Sequence, residues 1–417
     1  MVKKMLIKVA WFSFWHRRKT LSLIILSLMV SLIMLLSLNT LQAELKRSFN
    51  NSISATDLIV GARGGSLNLL LYSIFHIGDS MQPIDWRSYS KIKHDKKVSW
   101  AIPLTLGDSH RGHRVVGTTE DFFKYYRYGD RQSLVMQSGR NFQSSSQYSD
   151  HQFEVVIGAH VARTLGYSIG DSVVVSHGLA AVSFKNHQQD PLRVVGIIEM
   201  TGTPVDQALY VSVQALELLH DNRDYSIGDE LPTPGKVSSV LLGLESRLSI
   251  FALQKKINEF RGEPLQAILP GVTLTELWTL LGHVENILWV MAALLLFSSL
   301  LAMVTILLAS MQERQRELVI VRVLGGGFYT ITALLLFEIL IVVLISSLLA
   351  LLGTQLLISI SQYLWMDYLG FPVLGSVFNK DGLLLIAIFG LAALVVTLIP
   401  AVLASRRSLS TGLVLRQ

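Results

Sequence analysis

Hydrophobic positions along the chain fall into two kinds, long unbroken runs and short alternating ones. Four runs, Thr20 to Ala43, Ile287 to Met311, Phe328 to Met366 and Leu383 to Ala404, are almost free of charge. At about 1.5 Å per residue each reaches roughly 30 Å or more, the depth of a bilayer core. Between the first and second runs the pattern changes. Strand-like segments, Asp57 to Gly61, His113 to Thr118, Phe153 to Gly158, Asp171 to Ser176, Leu192 to Ile198 and Ala208 to Ser212, alternate with helical ones at Ala159 to Leu165, Val213 to Leu219 and Ser246 to Phe260. The pattern predicts an α-helical membrane protein with four transmembrane helices and a large α+β extracytoplasmic domain inserted between the first and second.

The predicted division is an N-terminal amphipathic helix (1–19), a first span (20–43), an outer domain with stalk helices (44–282), a second span (283–311), a connector (312–327), a third span (328–366), a short outer loop (367–381), a fourth span (382–404) and a tail (405–417). Thr273 to His283 can run straight into the second span, and Gln42 to Ile53 extends the first. Either continuation would join the outer domain mechanically to the membrane. Residues 5 to 16 place Met5, Val9 and Phe12 on one stripe beside Lys4 and Lys8, with Trp11 and Trp15 suited to the headgroup level.

Composition supports this picture. The chain is 51% hydrophobic, with a mean hydropathy of +0.46, too apolar for an ordinary soluble enzyme. Its formal charge of +6 matters through its distribution. Lys3, Lys4, Lys8, Arg17, Arg18 and Lys19 precede the first span, and Arg406, Arg407 and Arg416 follow the last, so both termini are expected in the cytoplasm. The basic balance is thereby assigned to topology and not to nucleic acid. The first run is longer than a signal-peptide core and no small-residue cleavage pattern follows, so it reads as a retained anchor. Cysteine is absent, which excludes disulfides and cysteine metal sites.

The connector QERQRELVIVRVLGGG, Gln312 to Gly327, is unusually charged for its length. As a helix it pairs Glu313 with Arg316 and Arg314 with Glu317 at i,i+3, and brings Leu318, Val321 and Gly325 near one another on another side. Two readings stay open on physical grounds alone: a helix offering a partner an apolar ridge and fixed charges, or a solvated cytoplasmic loop. Gly325, Gly326 and Gly327 then break the helix and let the chain turn back.

The run Glu313 to Gly327 resembles the connector of the FtsX/MacB-type, or type VII, ABC transporter permeases, whose pattern is roughly E-R-x-R-E-I-G-x-L-R-A-L-G-A. Glu313, Arg314, Arg316, Glu317, Arg322, Leu324 and Gly325 match it. FEVVIGAHVARTLGYSIGDSVVV and VVGIIEMTGTPVDQALYVS resemble the MacB-like periplasmic core domain. One anchor, a large outer domain and three further spans are that family's layout. Leu318, Val319, Val323, Gly326 and the missing second proline near the C-terminus depart from it. The resemblance implies that Glu313 to Gly325, with Leu318 and Val321, form a coupling helix docked on a separate ATP-binding subunit. It also implies a bacterial inner-membrane location and a second permease copy or paralogue. ATP and magnesium would sit on the partner, since no G-x-x-x-x-G-K-[ST] occurs here. Membrane lipids, a periplasmic adaptor and a lipoprotein complete the expected partners. The implied activity is export or extraction of a lipoprotein, lipid, peptide or drug; the competing expectation is a signalling scaffold that activates a periplasmic cell-wall hydrolase.

Three features have a bland alternative. Leu67, Leu70, Leu71, Ile74 and Phe75 recur at helical spacing, either facing an apolar cargo or packing a core. Glu338 is a carboxylate inside the third span, expected at a structural or coupling contact. His110 and His113 suggest a metal, but no third ligand completes a set, and a solvated pair is the expectation. No H-E-x-x-H or G-x-S-x-G motif is present, so no catalytic role is assigned.

Overall fold

The computed structural model describes residues 18–78, 82–144, 148, 153–177, 191–220, 225–313, 327–369 and 377–411. The chain separates into two compact units, with divisions at Glu44/Leu45 and Leu281/Gly282; the segment from Trp365 is grouped with the second unit.

The first unit consists of helical segments drawn from Arg18–Ser52, Pro270–Glu313, Phe328–Leu369 and Lys380–Thr411, each long and apolar enough to cross a membrane. Leu28, Leu32, Leu36, Met303, Ile339, Val342, Phe389 and Ala393 pack one shared core. Gly353 lies so close to Ile33 that a Cβ there would sit 2.8 Å from the Ile33 Cδ1, so glycine sets the approach of two helices. Outward-facing Leu23, Leu294, Phe297 and Leu344 are each more than half exposed. That surface is stable against lipid tails and costly in water.

The second unit is built on a mixed eleven-stranded sheet, in the order Leu265–Ile268, Leu58–Ala62, Ser239–Leu244, Val98–His110, His113–Thr118, Leu209–Ser212, Glu154–Ile157, Leu192–Ile198 and Met136–Gly139. Two short strands complete it: Ser176–His177 on the end of Val98–His110, and Ser172–Val173 on Leu192–Ile198. Two pairings are parallel, Leu209–Ser212 with His113–Thr118 and Leu192–Ile198 with Glu154–Ile157; the rest are antiparallel. Val98–His110 carries the sheet across its middle. Residues 98–104 pair with Ser239–Leu244 and residues 105–110 with His113–Thr118, with a register shift between Leu106 and Asp108. The sheet therefore consists of two halves sharing one strand.

Near-continuous Val/Ile runs such as VVI at 155–157 are buried on both faces, as parallel central strands require. One half is covered by Trp86–Lys93 and Ile250–Asn258, whose Tyr89, Ile92, Leu253 and Ile257 pack on Leu58, Val60 and Leu242. The other is covered by Ala159–Leu165 and Val213–His220, packed on Val115, Val155 and Val211.

Several expectations are corrected. Asp171 to Ser176 is not one strand but two short ones separated by Val174 and Val175. The helix expected from Ser246 begins as a 3-10 turn at Arg247–Ser249, and the α-helix covers only Ile250–Asn258. The stalk segments do continue the spans: Arg18–Ser52 and Pro270–Glu313 are each one helix. The amphipathic helix expected over residues 5 to 16 lies outside the described residues.

Candidate functional site

The site with the most specific geometry lies where the helix Arg18–Ser52 ends against the outer domain. The last carbonyls of a helix have no partner inside it. Here Gly129 N–H donates to the Asn51 carbonyl at 2.9 Å, and the Tyr126 hydroxyl donates to the Ser52 carbonyl at 2.9 Å. One turn earlier the Ser48 hydroxyl donates to the Gly202 carbonyl at 3.3 Å.

Gly202 belongs to a loop organised by one buried carboxylate. Asp206, 1% exposed, accepts from Thr201 N–H at 2.9 and 3.1 Å, from the Thr201 hydroxyl at 2.9 Å and from Gly202 N–H at 2.7 Å. Burial pushes the Asp206 carboxyl above its usual range, and these donors work against that shift. Thr203 is held in the same loop, its carbonyl accepting from Asp206 N–H at 3.1 Å, and burial pushes the nearby Tyr126 hydroxyl well up. Gly158 closes the other side: a Cβ there would overlap the Asp206 backbone carbonyl. The two outer-domain stretches singled out in the sequence thus meet at Gly158 and Asp206.

The second helix entering this domain, Pro270–Glu313, is held differently. Leu274 and Leu277 are buried in the core cluster of Ile59, Leu69, Tyr72, Phe75 and Ile268. Trp278 packs against it, edge-on to Phe49 of the first helix at 5.4 Å, with the Lys46 ammonium 5.7 Å from the Trp278 ring. Phe49 also stacks on Phe75 at 4.2 Å.

The predicted residues are placed unequally. Glu313 is the last residue of the helix Pro270–Glu313. Arg314, Arg316, Glu317, Leu318, Val321, Arg322, Leu324 and Gly325 lie outside the described residues. Glu338 is buried, 5% exposed. The stripe considered for cargo lies on Ser66–Phe75 and turns inward. Leu70, Ile74 and Phe75 are buried in the core, with Leu67 and Leu71 half-buried against it, because this helix must cover the sheet and receive Phe49. The expectation of a solvated histidine pair is also corrected. His110 is buried, its Nδ1 2.6 Å from the Val174 carbonyl and its Nε2 2.9 Å from the Tyr167 hydroxyl; burial holds its pKa below the usual value. His113 Nδ1 lies 3.2 Å from the Gln207 carbonyl.

Asp206, Tyr126 and Ser48 were not singled out from the sequence. The available signal was an aspartate within TGTPVD, a Thr/Gly/Pro-rich turn in which a carboxylate commonly accepts local backbone N–H groups.

Helices long and apolar enough to cross a membrane, a large α+β domain and helix ends set into its core define a multi-pass membrane protein. Two family models match the chain: the MacB-like periplasmic core domain over residues 20–260 and the FtsX-like permease C-terminal domain over residues 289–413. The first spans more than half of the chain, which therefore belongs to the FtsX/MacB-type permeases of ABC transporters. Membership implies an ABC ATP-binding partner and a dimer-type assembly.

Among solved structures, the periplasmic region of MacB from Actinobacillus actinomycetemcomitans matches at 11% identity and a TM-score of 0.33, over 55% of this chain and 97% of that one. The extracellular domain of the noncanonic ABC-type transporter YknZ from Gram-positive bacteria matches at 13% identity and a TM-score of 0.30, over 51% of this chain and 98% of that one. No curated protein matches the chain.

Proposed function

We propose that the chain is the membrane subunit of an ATP-driven machine of a bacterial inner membrane, with both termini in the cytoplasm. It works with a second permease copy or paralogue and with separate ATP-binding subunits that carry ATP and magnesium. The observation that carries this reading is the anchoring of both stalk helices in the outer domain: Phe49, Leu274 and Leu277 pack into its core, and Ser52 is hydrogen-bonded to Tyr126. A helix fixed at its end transmits displacement; one ending in a loose linker does not.

In this mechanism ATP binding closes the partner's nucleotide-binding dimer. The segment 312–327 moves with it through Glu313, Arg314, Arg316, Glu317 and Arg322, and the spans pass the movement outward. The outer domain then releases, expels or extracts its cargo, a lipoprotein, lipid, peptide or drug. Each step is a two-state element biased by a ligand bound elsewhere.

The test is Glu317→Lys combined with Arg322→Glu in the purified complex. Loss of coupling should lower cargo-stimulated ATP hydrolysis by about tenfold and abolish the nucleotide-dependent change in outer-domain geometry. An unchanged hydrolysis rate together with an unchanged geometric response sinks the coupling role.

A further inference from the structure

We infer that Asp206 is the positioning residue of a joint that ties the end of the first stalk helix to the half-sheet of strands His113–Thr118, Leu209–Ser212, Glu154–Ile157 and Leu192–Ile198. This joint is separate from the covalent route, and it rests on the reading of the stalk as a transmitting element. The chain leaves the helix at Ser52 and enters strand Leu58–Ala62, which belongs to the opposite half, between Leu265–Ile268 and Ser239–Leu244. The polar contacts of the last turn go elsewhere. Ser48 donates to Gly202, Asn51 accepts from Gly129 and Ser52 accepts from Tyr126. Tyr126 in turn sits over the other half, its ring stacked at 4.9 Å on Phe122, which stacks at 4.7 Å on Tyr210 of strand Leu209–Ser212.

Asp206 sets the geometry of this second route. Its two oxygens gather Thr201 N–H, the Thr201 hydroxyl and Gly202 N–H, fixing the Gly202 carbonyl toward Ser48. An asparagine fills the same volume but replaces one acceptor oxygen by a donor, so it cannot satisfy all three groups. A displacement of the helix thus reaches the two half-sheets by different paths, one covalent through residues 53–57 and one hydrogen-bonded through Asp206. Only the second can loosen without a break in the chain.

The chain has no cysteine, so pairs of spin labels can be introduced cleanly into the full-length protein in lipid nanodiscs without nucleotide. One pair, at Asn50→Cys and Arg163→Cys, spans the hydrogen-bonded route. The other, at Asn50→Cys and Lys255→Cys, spans the covalent one; all three positions are exposed. Asp206→Asn should broaden the 50–163 distance distribution and leave 50–255 as in the parent. Tyr126→Phe, which removes only the bond to Ser52, should broaden the same pair by less. It decides the matter if Asp206→Asn does not accumulate. Broadening of both pairs alike, which general destabilisation would produce, overturns the inference, as does no change in either. Because no ATP is involved, this result stands or falls independently of the coupling test at Glu317 and Arg322.

Discussion

The two helix ends that enter the outer domain hold on to it by different chemistry. The first, around Ser48 to Ser52, is fixed by directional bonds to Gly202, Gly129 and Tyr126. The second, around Leu274 to Trp278, is fixed chiefly by apolar burial, with one exposed hydrogen bond from the Ser66 hydroxyl to Glu276 at 3.2 Å. Hydrogen bonds lose their value within a fraction of an ångström and a few tens of degrees, whereas apolar contact is non-directional and tolerates sliding. The first end therefore specifies orientation, and the second supplies adhesion. Phe49 belongs to both arrangements, since it meets Phe75 and Trp278.

Three experiments would break or sharpen this contrast. Leu274→Ala should have the largest effect, removing a side chain 2% exposed and lowering outer-domain stability by about 2–5 kcal/mol. Thermal melting of the reconstituted protein measures it, and a loss below about 1 kcal/mol would mean that the second end is not held by burial.

The next effect depends on pH. His76 caps the helix that carries Phe75, and its pKa is lowered to about 4 by burial first and the nearby Arg114 charge second, although part of the residue meets solvent. A histidine depressed in the folded state stabilises fully above its unfolded pKa, near 6.5. That stabilisation is lost as pH falls toward 4. Melting temperature should drop across this window, and His76→Gln should flatten the drop; an unaltered pH profile in the variant would remove His76 from the account.

The smallest effect is expected at Lys46, whose ammonium lies 5.7 Å from the Trp278 ring. Lys46→Gln should cost about 0.5–1 kcal/mol, read as faster hydrogen exchange at residues 46–52 in the intact protein. A cost as large as that of Leu274→Ala would erase the distinction between the two ends.

Legibility in the sequence followed local pattern. Leu192–Ile198 and Ala159–Leu165 have the expected bounds, because a strand rich in valine and isoleucine and a short alanine-bearing helix between glycines admit few alternatives. Val98–His110 was missed: Pro103, Gly107 and a polar end interrupt its apolar pattern, and its register is set by partners far away in sequence. The joint was hidden for the same reason. Asp206, Tyr126 and Ser48 carry no local mark of proximity, and only the sheet brings them together. His110 reads as a surface residue beside Arg111, yet its ring is taken inward by Tyr167 and Val174.

The strand Leu58–Ala62 is made early but completed late. Its two neighbours are Ser239–Leu244 and Leu265–Ile268, with Leu58 opposite Leu242 and Ile59 opposite Ile268. At bacterial elongation rates the ribosome needs roughly ten to forty seconds to supply those partners. Throughout that interval both edges of an apolar strand lack a ladder, a template for wrong pairing. Slowing translation before residue 239 should therefore raise the misfolded fraction of the outer domain more than slowing it after residue 268.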